Sequence, residues 1–597
     1  MRIARLKINN FRGIKQGELL IPSHAVMVGD NNIGKSSLLE AIDLVLGPER
    51  LARRPVIDEH DFYAGQYIDG DGKPVLIQIE VVVADLSEDQ TRHFRNHIEW
   101  WDKVAQVLLE GPPPEGTDNP SVIPALRVGF NGTYDVEEDD FVGSTHFKSP
   151  VREDEIYDNF KTSDKRLCGF LYLRTLRTGS RALSLERGSL LDIILRLQED
   201  KSFKIWEDVL EQLRVLPVAE KPELGITEIL SSVQTAIRGF MPADSVNNPH
   251  MRVSDLTRDT LRRTLTVFMG TGALREDSTE YAAPFQHQGT GTINTLVLAL
   301  LSLIADLKQN VIFAMEEPEI AIPPHTQKRI IDGVRKKSAQ ALFTSHSPYV
   351  LEEFSPDQVL VLTRNDGILT AIPATYPPTI KPKGYKAEVR KRFCEALLSR
   401  RVLITEGRTE YDAYPAAARR LHELHPDKFR SLEALGVAIV DACTDAQVAP
   451  LGEHYKKLGK IVFAVFDQQV EKQREEIFSA VQYPFEADEK GFENVLLNGT
   501  TEAVLRRYAA KLVADGEWPS HLATKSPELK TPYAELIVNM REFFMWGKGH
   551  GVAADFLMLC TCEEMPKFIV DTLIAIQDVI EPKKTGELVA TVAVDEI

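Results

Sequence analysis

The chain has 597 residues, of which 43% are hydrophobic and 26% are charged, and its net charge at pH 7 is −18. This acidic balance excludes a protein that coats nucleic acid over its whole surface, although it allows a local basic groove. The chain is too long for one ordinary domain of about 150 residues, and roughly two to four domains are expected. It has no apolar run near the roughly 18 residues that span a bilayer and no signal-peptide core, so we expect a cytoplasmic protein without a membrane partner.

The first predicted elements lead into a phosphate-binding loop. Residues 2–21 alternate between apolar and polar side chains and predict a pair of strands, and residues 25–28 predict a short buried strand. Residues 38–46 have the apolar spacing of a helix. Between strand and helix, residues 29–37 read GDNNIGKSS, which has the P-loop spacing of two glycines followed by Lys and Ser.

The residue types in this loop fit the chemistry of nucleotide binding. Glycines allow backbone N–H groups to close around phosphate, Lys35 can reach the outer phosphates, and the Ser36 hydroxyl can ligate Mg²⁺. The predicted nucleotide-binding residues of the loop are Gly29, Asn32, Gly34, Lys35, Ser36 and Ser37.

The region that follows the phosphate-binding loop carries less specific motifs. Arg177 and Arg181 follow a strand predicted at residues 171–174, and they could equally well meet phosphates or solvate a loop. Residues 186–275 contain stretches with helical spacing and predict a helical insertion. Such an insertion could pair with a second copy of itself or form a cap on its own domain.

Two further strands are predicted to end in polar residues at the same site. Residues 286–292 open a long apolar helix, after which the apolar run at residues 311–315 continues directly into Glu316 and Glu317. The strand at residues 341–344 is followed by Ser345 and His346. Central parallel strands deliver such residues to the edge of the sheet where nucleotides bind.

Together these motifs resemble the Walker A, Walker B and histidine-switch motifs of ABC-type ATPases of the RecF/SMC kind. The resemblance implies ATP as the ligand, with Glu316 helping to hold Mg²⁺, Glu317 orienting the attacking water and His346 sensing the γ-phosphate. The LSGGQ-like loop of that family, which closes the nucleotide site of a partner subunit, is represented only by Gly289 and Gly291 in the sequence QGTG. ATP-dependent formation of a homodimer or higher homo-oligomer is therefore expected.

A Pro-rich and then basic segment at residues 376–395 predicts a linker. Its cations, among them Lys381, Lys383 and Arg390, could contact a DNA backbone or simply solvate the linker.

Beyond the linker, a second parallel sheet is predicted, with acids at its strand ends. Residues 401–405 form a buried strand that ends at Glu406, and Glu410 lies on the first turn of the helix that follows. Two more strands end at Asp441 and Asp467. Strands alternating with helices favour a small α/β domain with these carboxylates at one edge.

This pattern resembles a Toprim domain. A Toprim domain behind an ABC-type ATPase resembles the OLD (overcoming lysogenisation defect) family, which includes the nuclease subunit of Gabija-type antiphage systems. The resemblance implies that the site binds one or two Mg²⁺ or Mn²⁺ ions. The first candidates as ligands are Glu406, Glu410 and Asp467. It also implies that Lys548 neutralises charge in the transition state.

The chain departs from that family at one position. Where an Asp-x-Asp pair is frequent, this chain has Asp467-Gln468-Gln469, and a neutral amide binds Mg²⁺ more weakly than a carboxylate. The candidate replacements for the missing carboxylate are Asp441, Glu486, Asp488 and Glu493.

The expected organisation is an ABC-type α/β ATPase domain in two parts, 1–185 and 276–375, with the helical insertion at 186–275, the linker at 376–395 and the Toprim domain at 396–597. The expected function is metal-dependent DNA endonuclease activity, controlled by ATP and used in antiphage defence. An ATP-driven DNA clamp or sensor with a degenerate Toprim domain is the alternative, and a UvrD-type helicase partner is implied only by the Gabija resemblance.

Overall fold

The computed structural model describes the chain except for residues 49, 53–54, 110, 113–118, 151–156, 174–184, 187–188, 198–201, 216–225, 239–256, 308–310, 321–322, 379 and 583–597. Arg177 and Arg181 therefore lie outside the described residues. The chain divides into two compact units, Met1–Ala25 with Ser36–Ser345 and Val26–Lys35 with His346–Ile597.

The strands, in chain order, are β1 (Arg2–Phe11), β2 (Ile14–Leu20), β3 (Ala25–Val28), β4 (Ile77–Ala84), β5 (Ile98–Asp102), β6 (Val107–Leu109), β7 (Val122–Asp135), β8 (Asp140–Phe147), β9 (Phe170–Leu173), β10 (Phe268–Leu274), β11 (Glu280–Pro284), β12 (Ile312–Glu316), β13 (Gln340–Thr344), β14 (Val359–Asn365), β15 (Ile368–Pro373), β16 (Arg401–Thr405), β17 (Val437–Asp441), β18 (Ile461–Phe466) and β19 (Tyr483–Glu486).

The described α-helices are α1 (Lys35–Leu46), α2 (Glu88–His93), α3 (Thr162–Cys168), α4 (Leu190–Leu197), α5 (Ser202–Val215), α6 (Ile226–Arg238), α7 (Arg258–Thr264), α8 (Thr290–Leu307), α9 (Pro324–Lys337), α10 (Pro348–Leu351), α11 (Pro382–Glu388), α12 (Cys394–Leu398), α13 (Arg408–Leu424), α14 (Asp445–Lys457), α15 (Glu471–Ala480), α16 (Phe492–Asn498), α17 (Glu502–Ala514), α18 (Tyr533–Trp546), α19 (Val552–Leu559) and α20 (Lys567–Ile580). Among these helices, none combines the length and the apolar character needed to span a membrane.

The first unit contains both antiparallel and parallel strands. The predicted pair of strands at the N-terminus is confirmed, because β1 is antiparallel to β2, and β4 lies antiparallel to β1 on its other side. β12 is parallel to both β9 and β13, with Glu316 opposite Thr344. Every residue of β12 and β13 is buried, which explains why both strands read as continuous apolar runs.

The second unit contains a short parallel pair and a four-stranded parallel sheet. β3, which leads into the P-loop, is parallel to β14, and β14 is antiparallel to β15. The parallel sheet has the strand order β17-β16-β18-β19. One face of this sheet and the C-terminal helices share an apolar core that includes Tyr414 and Tyr508.

The helical insertion differs from its prediction at its end. Helices α4, α5, α6 and α7 lie in the predicted region, but residues 268–274 form strand β10, which makes an antiparallel hairpin with β11. The last helix of the insertion ends at Thr264, and Gly272, inside β10, adopts a φ of +74° that lies outside helical geometry.

The prediction of a linker at residues 376–395 is wrong for most of its length. Residues 382–398 are helical, with a π-helical turn at Val389–Phe393 between α11 and α12. Tyr385, Val389 and Phe393 recur every four residues, and each is at most 4% exposed. The prolines and basic residues of the segment made this apolar face hard to recognise in the sequence. The face is buried in the core, unlike a solvated linker.

Two of the segment's cations also have internal partners. Arg390 forms an ion pair with Glu352, with 3.2 Å between its Nε and the carboxylate Oε1. The guanidinium of Arg392 donates two hydrogen bonds, of 3.1 and 2.7 Å, to the backbone carbonyl of Asp441.

A buried amide connects β13 to the N-terminal strand of the first unit. Gln340 is fully buried, its Oε1 accepts the Ile3 N–H at 2.8 Å, and its Nε2 donates to the carbonyls of Ile3 and Pro22 at 2.9 Å each. These bonds satisfy backbone groups that would otherwise lie in an apolar core.

Replacing Gln340 with Leu should lower the free energy of unfolding by at least about 2 kcal/mol, because it leaves buried backbone groups without hydrogen-bond partners. Urea denaturation followed by circular dichroism measures the loss. Gln66→Leu is the control, because Gln66 is exposed and this change should stay within about 0.5 kcal/mol. Equal loss in both variants would contradict a structural role for the Gln340 amide.

Candidate active site

The parallel sheet of the second unit brings acidic residues to one edge. β16 is parallel to both β17 and β18, and its last residue, Thr405, lies opposite Asp441 on one side and Val465 on the other. Glu406 follows β16 directly, and Asp467 follows β18. The strands expected from the sequence are thus confirmed, and their carboxyl ends place these acids beside one another.

A cavity of about 290 Å³ opens at this edge. Glu406 and Asp467 line it from the strand ends, and Glu410 lines it from the first turn of α13. Glu493, from the first turn of α16, and Lys548, from the loop after α18, complete the charged lining. The residues around the opening include four carboxylates and two cations, Lys548 and Arg408.

Backbone and amide N–H groups hold the two strand-end carboxylates. The N–H of Gly491 donates to Asp467 Oδ2 at 2.7 Å, and the N–H of Asp467 donates to Glu406 Oε2 at 3.1 Å. Gly491 has a φ of +87°, and a Cβ there would lie 2.9 Å from Glu493 Oε1. A glycine is therefore needed at this close approach to the site.

Gln469 links the same two carboxylates. Its Nε2 donates to Asp467 Oδ1 at 2.8 Å and to Glu406 Oε2 at 3.1 Å. The sequence marked Gln469 as a departure from an Asp-x-Asp pair, but it did not predict that the amide would join Glu406 to Asp467. That contact depends on the pairing of β16 with β18 and has no local sequence signal.

Two carboxyl groups of the site have pKa values above their ordinary range. Burial raises the pKa of Glu406 well above its ordinary value, and the charge of Asp467 adds to the shift. Burial raises the pKa of Glu410 to about 7; the charges of Asp467 and Asp441 raise it too, whereas Lys548 acts in the opposite direction. Carboxylates that retain protons near neutral pH are typical of catalytic and metal-binding sites.

Lys548 lies at the opening of the cavity. Its Nζ is 3.1 Å from Glu493 Oε2, and its side chain is 52% exposed. A cation in this position can approach a phosphate group that enters from solvent.

The other acids predicted as alternative ligands lie outside the lining of this cavity. Asp441 is buried, and its Oδ1 accepts the N–H of Cys443 at 2.7 Å. Glu486 pairs with Arg474 at 2.5 Å and accepts the N–H of Gln469 at 3.1 Å. Asp488 is exposed.

The donor set of the cavity suits a hard divalent cation. Glu406 and Asp467 direct carboxylate oxygens toward one amide nitrogen, and Glu410 is close enough for the charge of Asp467 to affect its pKa. Within the described ranges, however, no three His, Cys, Asp or Glu side chains form a group that could hold a metal ion as they stand. Oxygen ligands of this type are those that Mg²⁺ and Mn²⁺ prefer.

The P-loop of the second unit has the backbone conformation that its glycines predict. Gly29 has a φ of +150° and Gly34 a φ of +115°, and Asn32 adopts a left-handed φ of +62°. Lys35 is buried, and its Nζ donates to the carbonyls of Gly29 at 2.8 Å and Asp30 at 2.9 Å. The ammonium is thereby held against the loop that would surround the phosphates.

In the first unit, the end of β12 carries an acid in an unusual backbone conformation. Glu317 has a φ of +43°, and its N–H donates to the carbonyl of Thr344 at 2.9 Å. Left-handed backbone at a non-glycine residue costs about 1–3 kcal/mol and is concentrated at functional sites. The neighbouring Glu316 is buried, and its Oε1 accepts a hydrogen bond from the hydroxyl of Tyr172.

Tyr172 is a partner that the sequence did not reveal. It lies on β9, where it is opposite Ala314 of β12, and the sequence showed only an apolar strand at this point. A tyrosine inside an apolar strand indicates a polar contact, because its half-buried hydroxyl needs a hydrogen-bond partner.

The remaining predicted nucleotide-binding residues lie at element ends. Ser36 is exposed and Ser37 is half-buried in the first turn of α1. The carbonyl of Gly289 accepts the N–H groups of Thr292 and Ile293, at 3.0 and 3.1 Å, so Gly289 and Gly291 lie at the N-terminus of α8. His346 is half-buried and follows the segment that ends at Ser345.

Comparison with known families assigns both parts of the chain. Residues 1–175 match the AAA ATPase domain, and residues 127–352 match the AAA domain described as a putative AbiEii toxin of a type IV toxin–antitoxin system. Residues 397–468 match the TOPRIM domain of overcoming-lysogenization-defect-like proteins.

Curated relatives align with most of the chain. The Old nuclease of Escherichia phage P2 is 22% identical over 452 residues, which cover 72% of this chain and 72% of the relative. The OLD nuclease of Thermus scotoductus is 21% identical over 499 residues, covering 78% of this chain and 82% of the relative. Among solved structures, the SMC head bound to the C-terminal winged-helix domain of ScpA covers 62% of this chain, at 13% identity and a TM-score of 0.33.

The family matches are consistent with the motifs and with the geometry of each unit. The ATPase matches contain the P-loop and the acids after β12, and the TOPRIM match begins before β16 and ends just after Asp467. The chain therefore combines regions that match an AAA ATPase domain and an OLD-like TOPRIM domain, and it is similar to OLD nucleases over most of its length.

Proposed function

We propose that the chain is a metal-dependent DNA endonuclease whose cutting is controlled by ATP in its ATPase domain. The observation that carries this proposal is the convergence of Glu406, Glu410, Asp467 and Lys548 on one cavity of the TOPRIM domain. The similarity to OLD nucleases of a phage and a bacterium supports the same activity.

The proposed roles follow from the position of each side chain. Glu406 and Asp467 would hold Mg²⁺ or Mn²⁺, with Glu410 as a third oxygen donor. When bound, such ions polarise a phosphodiester and stabilise the attacking and leaving oxygens of its hydrolysis. Lys548 approaches the phosphate from the solvent side and offsets the charge that develops on its oxygens. Gln469 holds Glu406 and Asp467 in a fixed relation and would remain a neutral neighbour of the ion.

The ATPase domain supplies control rather than cutting. Gly29, Gly34, Lys35 and Ser36 would bind the phosphates and Mg²⁺ of ATP, Glu316 would help to hold that ion, and Glu317 would orient the attacking water. Gly289 and Gly291 would meet the nucleotide of a second copy through the N-terminus of α8, so that ATP favours a homo-oligomer. DNA is the proposed substrate, and a UvrD-type helicase is the proposed partner in antiphage defence.

Replacing Glu406 with Ala should lower the rate of DNA cleavage by at least about 100-fold, because the loss of a metal ligand removes several kcal/mol of transition-state stabilisation. Plasmid nicking and linearisation with Mg²⁺ or Mn²⁺ measures the effect, and plaque counts on cells that carry the variant should show lost protection against phage. The ATPase rate should be unchanged.

Glu476→Gln is the matched control for this test, because Glu476 is an exposed acid on α15 of the same domain. Unchanged phage protection in Glu406→Ala would favour the alternative function of an ATP-driven DNA clamp or sensor. So would a wild-type protein that cuts no DNA with either metal, with or without nucleotide. Gln469, which replaces a carboxylate, is the observation that motivates that alternative.

Mn²⁺ affinity should rise with pH between 6 and 8. Because burial raises the pKa of Glu410 to about 7 and that of Glu406 in the same direction, both carboxyls retain protons that the ion must displace. One pH unit below such a pKa, affinity falls about tenfold for each proton released. Isothermal titration calorimetry of nucleotide-free protein, in two buffers with different ionisation enthalpies, measures both affinity and proton release.

In this titration Glu410→Gln should release fewer protons than the wild type. Equal Mn²⁺ affinity at pH 6 and pH 8 would show that these carboxyls do not bind the ion in their protonatable form.

Replacing Glu317 with Gln should slow ATP hydrolysis by at least about 100-fold while ATP binding persists, because an amide cannot accept a proton from the attacking water. Phosphate release measures hydrolysis, and size-exclusion chromatography with ATP should show more of the larger oligomer. Glu276→Gln, at an exposed position in the turn between β10 and β11, is the control. A normal rate of hydrolysis in Glu317→Gln would reject the assigned role.

A further inference from the structure

A second cavity in the second unit shares no lining residue with the carboxylate cavity. It has a volume of about 280 Å³ and is bordered by Gly29 and Asp30 of the P-loop. Four cationic side chains from separate elements line it: Arg364 from β14, Arg400 from the residue before β16, Lys456 from α14, and Lys460 from the residue before β18. Asp30 is the one carboxylate among the described lining residues.

Three of these cations have no counter-ion among the residues that the structure describes. Across the part of the chain that the structure describes, the side chains of Arg364, Arg400 and Lys456 take part in no ion pair. They stay unpaired in a chain whose 88 acidic residues outnumber its 70 basic ones. The position of Lys456 near the C-terminus of α14 is explained by the helix dipole, but Arg364 and Arg400 lie at strand ends and have no such explanation.

The fourth cation is fixed inside the wall of the cavity. Lys460 is 4% exposed, and its Nζ donates to the carbonyls of Leu397 at 2.8 Å and Ser399 at 2.5 Å. Burial lowers the pKa of Lys460 to about 8, and the charge of Asp30 acts in the opposite direction. The protein therefore holds a buried ammonium beside the three cations that form no ion pair in the described part of the chain.

Hydrogen bonds and close packing fix the backbone around these cations. Ser399 Oγ donates to the carbonyl of Gly436 at 2.8 Å, and the carbonyl of Arg400 accepts the N–H of Ile461 at 3.0 Å. Gly459 has a φ of +73°, and a Cβ at this position would lie 2.9 Å from Thr363 Cγ2. The turn before β18 thus fits closely against β14.

We propose that this cavity, which borders the P-loop at Gly29 and Asp30, binds the phosphate groups of a ligand in addition to those held in the phosphate cradle that Lys35 completes. One arginine guanidinium group can donate two parallel hydrogen bonds to two oxygens of a phosphate. Several converging cations favour a multiply charged anion over a single carboxylate. Its volume admits a chain of phosphates. That chemistry is shared by a free polyphosphate anion and by the sugar–phosphate backbone of DNA.

The test measures binding of tripolyphosphate to the full-length protein by isothermal titration calorimetry in EDTA, so that no metal bridges the ligand to the carboxylates. Wild-type protein should bind two tripolyphosphate ions per chain, and Lys35→Ala, which disables the P-loop, should bind one. Combining Arg364→Gln and Arg400→Gln should weaken the remaining site by at least about tenfold, because each change removes a charge-assisted hydrogen bond. Lys456→Gln should weaken it too.

Lys457→Gln is the matched control, because the neighbouring Lys457 is exposed, pairs with Glu453 at 3.7 Å and does not line the cavity. A single binding event in the wild type, or affinity that is unaffected by the Arg364 and Arg400 changes, would overturn the proposal. A normal circular dichroism spectrum is required of every variant, and the stoichiometry of the wild type tests the site without any substitution.

A second arm separates the two sources of phosphate. It measures the binding of a fluorescent single-stranded oligonucleotide to the Lys35→Ala variant. If tripolyphosphate displaces the oligonucleotide, and if the arginine changes weaken its binding, the site is assigned to a DNA backbone. An oligonucleotide that neither competes nor responds assigns it to a small anion. A chain that binds the second tripolyphosphate but cuts no DNA would refute the proposed function alone, and a chain that cuts DNA without this binding would refute this inference alone.

Discussion

The repulsion among Glu406, Glu410 and Asp467 is the constraint to which the rest of the TOPRIM domain responds. Three carboxylates share one cavity because two strands end, and the helix that carries Glu410 begins, at the same edge. The Gly491 N–H and the Gln469 amide offset part of their charge, and raised pKa values offset more by keeping protons bound.

The P-loop also lies at the carboxyl end of a parallel strand, but its site carries positive rather than negative charge. β3 is a parallel strand whose carboxyl end opens into Gly29, just as the carboxyl end of β16 opens into Glu406. In the proposed roles, backbone N–H groups and Lys35 of the P-loop would provide positive charge for phosphates, whereas the TOPRIM edge would provide negative charge for metal ions. Both sites follow from the rule that open parallel sheets bind ligands beyond the carboxyl ends of their strands.

The elements with strong local signals could be predicted from the sequence. β12, β13, β16 and β18 are continuous apolar runs that end in functional residues, and the structure has strands at each of them. The P-loop was equally clear, because its glycines, lysine and serine have a fixed spacing. The acids of the TOPRIM cavity could be named for the same reason, since each comes directly after a strand or in the first turn of a helix.

What could not be predicted depends on contacts between distant segments. The helical face formed by Tyr385, Val389 and Phe393 was hidden among prolines and lysines, and only its burial identifies it as core. Tyr172 reaches Glu316 because β9 pairs with β12, and Gln469 reaches Glu406 because β16 pairs with β18. In each case the partner is set by strand pairing, which no short stretch of sequence specifies.

The pairing of β18 on both sides has a mechanical consequence. Its six residues span about 20 Å, from Ile461 beside the cationic cavity to Phe466, directly before Asp467. Ladders with β16 and β19 fix its register, and a slip of one residue would turn every side chain to the wrong face. Because its register is fixed on both sides, β18 holds Ile461 and Asp467 at the two ends of one strand that cannot slide against its neighbours.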